Sequence, residues 1–128
     1  MKIFSLDELL VYLENTSDES WLVDKCRSKD HQQHCVISHI FNFGGGDELD
    51  SKGNTKGGYA VAMFEEVYAT TFMIYPVNDG KDPRYQQSTP KARCIAYIQA
   101  LRDGKEKTTL DCWKEMDEFI KKEKELAI

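Results

Sequence analysis

Three points along this 128-residue chain carry the signal for starting a helix, and each precedes apolar residues at helical spacing. Ser5 and Glu8 have the spacing of a capping box and Phe4 and Leu9 that of a hydrophobic staple, while Leu6, Leu9, Leu10 and Leu13 recur on one side of the helix they would open. Thr89 precedes Pro90, whose fixed φ suits the first helical position, and Cys94, Ile95, Ile98 and Leu101 form a stripe before Gly104. Thr108 and Asp111 open a third stripe, Cys112, Trp113, Met116, Phe119 and Ile120. A side-chain period near 3.6 cannot be laid on a pleated strand without turning much of the apolar set to solvent, so a chain punctuated in this way is held to a helical architecture.

Two more segments fit the same period. Val36, Ile37, Ile40, Phe41 and Phe43 predict a helix over 33–43 that stops at Gly44–Gly46. Ala60, Val61, Met63, Phe64, Val67, Tyr68 and Phe72 predict a central, well-buried helix over 59–72, with Pro76 ending any helix and Asn78-Asp79-Gly80 forming a turn. The expected fold class is mainly α: a single bundle-like domain over 1–128 with helices near 6–15, 33–43, 59–72, 90–102 and 109–123. Trp21-Leu22-Val23 fits a short strand or one helical turn, which leaves room for one small β element there. The predicted core is Leu9, Leu13, Ile37, Ile40, Phe64, Val67, Ile95, Ile98, Trp113 and Ile120. Residues 44–58, with six glycines, read as a flexible surface loop, and the charged tail 121–128 as a fraying end.

Charge narrows the function. Seventeen Lys and Arg against 22 Asp and Glu give a net charge of −5, which argues against direct binding to a nucleic-acid backbone. No apolar run approaches the length of a membrane span, and Asp7 and Glu8 interrupt the N-terminal segment where a secretory signal would need apolar residues. The expectation is a cytoplasmic protein whose four cysteines, Cys26, Cys35, Cys94 and Cys112, are reduced and mostly buried.

Candidate chemistry gathers around His31, Cys35 and His39, with Cys26 upstream. The i, i+4, i+8 spacing of the three forms a stripe along one flank if the helix extends that far back, and imidazole and thiolate are good ligands for a borderline metal. Three ligands on one straight helix would spread over about 12 Å at ~1.5 Å per residue, too far for one ion. No metal site and no cofactor are therefore assigned, and these three residues stay as the candidates for a metal- or thiol-dependent enzyme. Cys35 paired with His39, or Cys94 with any of His31, His34 and His39, is the corresponding nucleophile, but apolar neighbours Val36, Ile37, Ile95 and Ile98 suggest inert buried thiols. The adjacent carboxylate pairs Asp7/Glu8, Glu65/Glu66 and Asp117/Glu118 point about 100° apart on a helix and read as solvated faces. The glycine-rich loop lacks the spacing of a phosphate-binding loop, and no residue type marks a small-ligand pocket beneath it.

Trp21, then Cys35-Val36-Ile37-Ser38-His39-Ile40 after a polar stretch, then Val77-Asn78-Asp79, then a closing amphipathic helix together resemble the uncharacterised DUF6197 family of bacterial and phage proteins over roughly residues 15–103. Ser38-His39 stands where that family would carry a small Gly-Ala pair, and the helix after Asp111 reads as an extension. The resemblance implies a helical fold and a phage or mobile-element origin, and transfers no catalytic residue. Asn78 and Asp79 are read as turn-formers.

The leading expectation is a small acidic interaction protein without catalytic activity: a phage-encoded, anti-CRISPR-like or other anti-defence inhibitor of a host protein, such as a nucleic-acid-binding enzyme. Its partner-binding residues are expected in the glycine-rich loop, at Asp47, Glu48 and Asp50, whose charge would steer association with a basic partner. The competing class is the enzyme built around His31, Cys35 and His39.

Overall fold

The computed structural model describes residues 4–127. Its helices are α1 (Leu6–Glu14), α2 (Val36–Phe43), α3 (Lys56–Val67), α4 (Thr71–Asn78), α5 (Pro90–Arg102) and α6 (Thr109–Leu126). The predicted starts act as their residue types require. The side-chain oxygens of Ser5, Thr89 and Thr108 accept from the amides of Glu8, Ala92 and Asp111, and Asp111 returns the bond to the Thr108 amide. Thr55, within the stretch expected to be a loop, accepts from the Gly58 amide and starts α3 three residues early.

The fold is mainly helical, as expected, with α1 packed on α5, α2 on α3 and α4 on α5. Leu9, Leu13, Ile40, Phe64 and Ile98 are fully buried, as predicted, and Ile37, Val67 and Ile95 pack against them half-buried. Trp113 and Ile120 are not in the core. They stand 63% and 43% exposed, because α6 is held to the body near its start, where Thr109 is buried and its amide donates to the Tyr68 carbonyl (3.0 Å). The tail expected to fray is helical through Leu126, and Ile128 lies outside the described residues.

The predicted 59–72 helix is two helices. Tyr68 and Ala69 both donate to the Phe64 carbonyl, which closes α3, and a new helix starts after Thr70, its Thr71 amide donating to the Glu65 carboxylate (3.2 Å) and its first turn directing Phe72 outward, 89% exposed. Pro76 does not end a helix. It lies inside α4, where it withholds an N–H from the carbonyl of residue 72, at the solvent-facing end. Around Trp21 there are isolated bridges to His34 from Trp21 and Arg27 in place of a named strand.

The loop at 44–58 is also more built than its composition suggests. Its last residues form the first turn of α3, and backbone bonds from Lys56 to Glu48, Gly57 to Gly46 and Asp50 to Asn54 fold it on itself (2.8–3.0 Å). Gly57 serves close approach: a Cβ there would lie 2.5 Å from the Phe41 carbonyl oxygen, so glycine is what lets α3 start against α2.

Asn78, expected as a turn-former, is fully buried and joins three segments. Its Oδ1 accepts from the Val36 amide at the start of α2 (3.0 Å), and its Nδ2 donates to the Leu22 carbonyl (2.9 Å). Arg93 of α5 in turn donates to the Val77 and Asn78 carbonyls at the end of α4 and to that of Gln87. Replacing Asn78 with Ala strands the buried Val36 N–H, at about 1–3 kcal/mol, and the half-buried Leu22 carbonyl, at less, and empties a fully buried site. We therefore expect N78A to lower the free energy of unfolding by at least as much as I98A, ~2–5 kcal/mol. Urea titrations of both variants check this, and a loss below about half a kcal/mol for N78A, the range of an ordinary surface substitution, would show that the network is dispensable.

Candidate functional site

The loop acids divide by what already holds them. Asp50 accepts from the Lys52 and Asn54 amides (2.8 and 3.0 Å), so it shapes the turn. Glu48 is paired with Lys56 at 2.6 Å, both side chains largely exposed. Asp47 is exposed and is the freest of the three to meet a partner.

The His31–Cys35–His39 stripe does not form. Helix α2 begins at Val36, and His31 sits in a left-handed turn (φ 60°) whose amide donates to Ser28. Cys35 is the buried residue before the helix, and His39 is buried inside it. Among the described residues, no three His, Cys, Asp or Glu side chains gather in a metal-binding group. His39 packs on Trp21 with ring centroids 4.3 Å apart, and its Nε2 donates to the Ser20 carbonyl (3.1 Å). Burial first, then the nearby His34, hold its pKa down to about 4, so it is a neutral packing residue.

Cys35 is joined instead to a second cysteine. The Cys35 amide donates to the Cys26 carbonyl (2.8 Å), and Cys26 Sγ is 3.2 Å from Tyr75 Oη. Cys26, Cys35 and Tyr75 share a depression of about 220 Å³ with Asp24, Lys25 and Asp79. Burial, and with it the neighbouring Cys26 thiol, pushes Cys35 up to about 11. The expectation of mostly buried thiols holds for Cys35 and Cys94, whereas Cys26 and Cys112 are exposed, all four being free.

Most of the large apolar side chains exposed among the described residues lie on α6. Its capping box and an ion pair between Lys107 and Glu115 (2.6 Å) stabilise the first turns. Beyond Thr109, every described residue is exposed. Trp113, Met116, Phe119 and Ile120 recur at three- and four-residue steps with 63%, 52%, 60% and 43% exposure, an apolar face that is largely uncovered among the described residues beyond Trp113, which borders α3. At its base, Glu65, Glu66, Thr70, Thr109 and Trp113 line a notch of about 320 Å³, and the buried Thr109 hydroxyl has no hydrogen-bond partner. A cavity of about 490 Å³ lies elsewhere, between the glycine-rich loop and α3, with Phe43, Tyr59 and Met63 on its walls and Asp50, Lys52 and Lys56 at its polar side. The α6 stripe is visible in the sequence, but its being left open is not.

No family model, curated protein or solved structure matches the chain.

His39 gives a signed pH dependence. Its folded pKa of about 4 lies below the ordinary value of 6.5, so the unfolded chain binds the extra proton between them. Stability is complete above about pH 6.5 and falls as pH drops toward 4, by on the order of 2–3 kcal/mol at ~1.36 kcal/mol per unit. Thermal melts from pH 7.5 to 4 check this, with H39Q expected to flatten the profile; an unchanged slope in that variant removes His39 as the cause.

Proposed function

We propose that this protein works by association rather than turnover, presenting the apolar face of α6 to a partner protein. The observation that carries this reading is the row Trp113, Met116, Phe119 and Ile120, exposed along one side of a helix that is capped and held only at its base. An aromatic side chain alone offers roughly 150–250 Å². Two aromatics, a methionine and an isoleucine, each about half exposed, therefore present a few hundred Å², about the size of the largest apolar patch on a monomer and a patch that often marks a binding site. An amphipathic helix with anchors at these steps fits an apolar groove. The exposed Glu66 at the base favours a groove edged by Lys or Arg, which would also meet the face of Trp113.

The narrower form of the reading is a phage-encoded inhibitor of a host defence enzyme. It is suggested by the short motifs read in the sequence, for which no family model matches, and by the net charge of −5. In this form Asp47 adds steering charge, and Asp50 acts indirectly by holding the loop.

The test is capture from a bacterial host lysate with mass spectrometry, followed by binding measurements on the purified partner. W113E/F119E is expected to weaken binding at least a hundredfold while leaving the melting temperature within a degree or two, since exposed positions rarely contribute more than about half a kcal/mol to stability. D47K is expected to slow association several-fold, with the effect shrinking at high salt. Undiminished binding by W113E/F119E would remove α6 as the interface. Sedimentation showing a dimer of the native chain that this variant abolishes would assign the face to a second copy instead.

A further inference from the structure

Independent of α6, the fold pairs two thiols that the sequence places nine residues apart. Residues 26–28 and 33–35 run antiparallel: the Cys35 amide donates to the Cys26 carbonyl (2.8 Å), the Ser28 amide to the Gln33 carbonyl (2.9 Å), and Arg27 bridges His34 between them. In this register Cys26 stands directly opposite Cys35. Opposed residues of an antiparallel pair project to the same face with Cα atoms about 5.5 Å apart, inside the ~4.4–6.8 Å range that a disulfide spans. The side chains converge as the register requires. Cys26 Sγ lies against Tyr75 Oη, and Cys35 opens into the same depression. The other two thiols do not share this setting: Cys94 is sealed in the core, and Cys112 lies on α6.

We propose that Cys26 and Cys35 form a reversible dithiol–disulfide pair, oxidised by a small-molecule disulfide that enters the depression they share with Tyr75.

Exposure sets the order of events. Cys26 is the exposed thiol of the pair and meets the incoming disulfide first: its sulfur attacks one sulfur of that disulfide with loss of the thiol proton, expelling the first small thiolate. Cys35 then gives up its proton and attacks Cys26 Sγ, expelling the second. Both protein thiols are oxidised, one small disulfide is reduced to two thiols, and the two protons lost by the cysteines are taken up by those thiols. Burial keeps Cys35 protonated, so the second exchange is the slower one and the mixed disulfide at Cys26 accumulates first. Closure joins the 22–34 segment to the residue that precedes α2 and takes Cys26 away from Tyr75.

The test uses the full-length chain carrying C112S, which removes the exposed α6 thiol, in buffers of rising oxidised-to-reduced glutathione ratio. Mass spectrometry is expected to show a transient glutathione adduct on Cys26. It should then show a species two hydrogens lighter than the reduced protein, with a peptide joining Cys26 to Cys35. Thiols reactive in denaturant should fall from three to one (four cysteines, less Cys112). Because Cys35 is buried and its replacement endangers folding, the decisive variant is C26S/C112S, expected to form neither adduct nor bridge. A stable adduct that never closes, three thiols surviving every ratio, or a bridge that persists in C26S/C112S would each overturn the proposal.

Discussion

Two helix ends in the core of this protein, the start of α2 and the end of α4, are closed by residues from other helices, and the buried Asn78 is where that arrangement converges. Helix α2 begins after Cys35, a residue that supplies no side-chain cap, so the Val36 amide would be an orphan donor in the core. Asn78, at the end of α4, accepts that bond across the interior and donates to the Leu22 carbonyl with its other side-chain atom. The end of α4 is itself closed from α5, where the Arg93 guanidinium meets the Val77 and Asn78 carbonyls. A cation at a helix C-terminus is favoured by the helix dipole, and here it is buried with its donors satisfied by backbone. Three helices and the 22–24 segment are thus fixed relative to one another by a few directional bonds, where apolar contact alone would permit sliding.

This explains which parts of the fold are legible in the sequence. The Ser5, Thr89 and Thr108 starts and the stripes of α1, α2 and α5 are properties of a few neighbouring residues, and the structure forms each of them. The interruption at Tyr68–Thr70 leaves no such trace, because the apolar period of α3 runs through it. What breaks the helix is the pair of bonds to the Phe64 carbonyl and the new start at Thr70. Asn78 reads as a turn residue because Asn-Asp-Gly has turn chemistry, and a turn does come after it, with Gly80 at φ 75°. Its tertiary role depends on partners 42 and 56 residues away, which no local pattern encodes.

The same distinction separates the expected site from the observed one. A helical projection brings His31, Cys35 and His39 together, but residues 22–34 are not helical, and the left-handed turns at Asp24 and His31 fold the segment back on itself. That reversal sets Cys26 against Cys35. A spacing of nine suggests neither a metal knuckle nor a helical face, so nothing local in the sequence pairs these two residues. In the acidic loop, Asp47 and Glu48 are exposed as expected. Two of the three acids are nonetheless occupied with the loop itself, Asp50 with the Lys52 and Asn54 amides and Glu48 with Lys56.

Helix α6 shows what periodicity does and does not determine. Its stripe assigns Trp113 and Ile120 to the core by the same rule that places Ile98 there, and the rule is sound for amphipathicity. It says that one face seeks an apolar neighbour, without saying which molecule supplies it. Inside the body the neighbours exist: α1 and α4 cover α5, and Tyr97, Ile98 and Leu101 are buried. For α6 the body offers the Tyr68 carbonyl, the first-turn contact at Thr109 and the edge of α3 beside Trp113, and nothing that covers Met116, Phe119 or Ile120. Isolated helices of fewer than about 12–15 residues are marginal in water, and one of 18 with a capping box is long enough to persist without packing. The helix therefore does not need the core to exist, and the core, closed through Asn78 and Arg93, does not need the helix. Such a division leaves the apolar face of α6 free for a contact outside the fold.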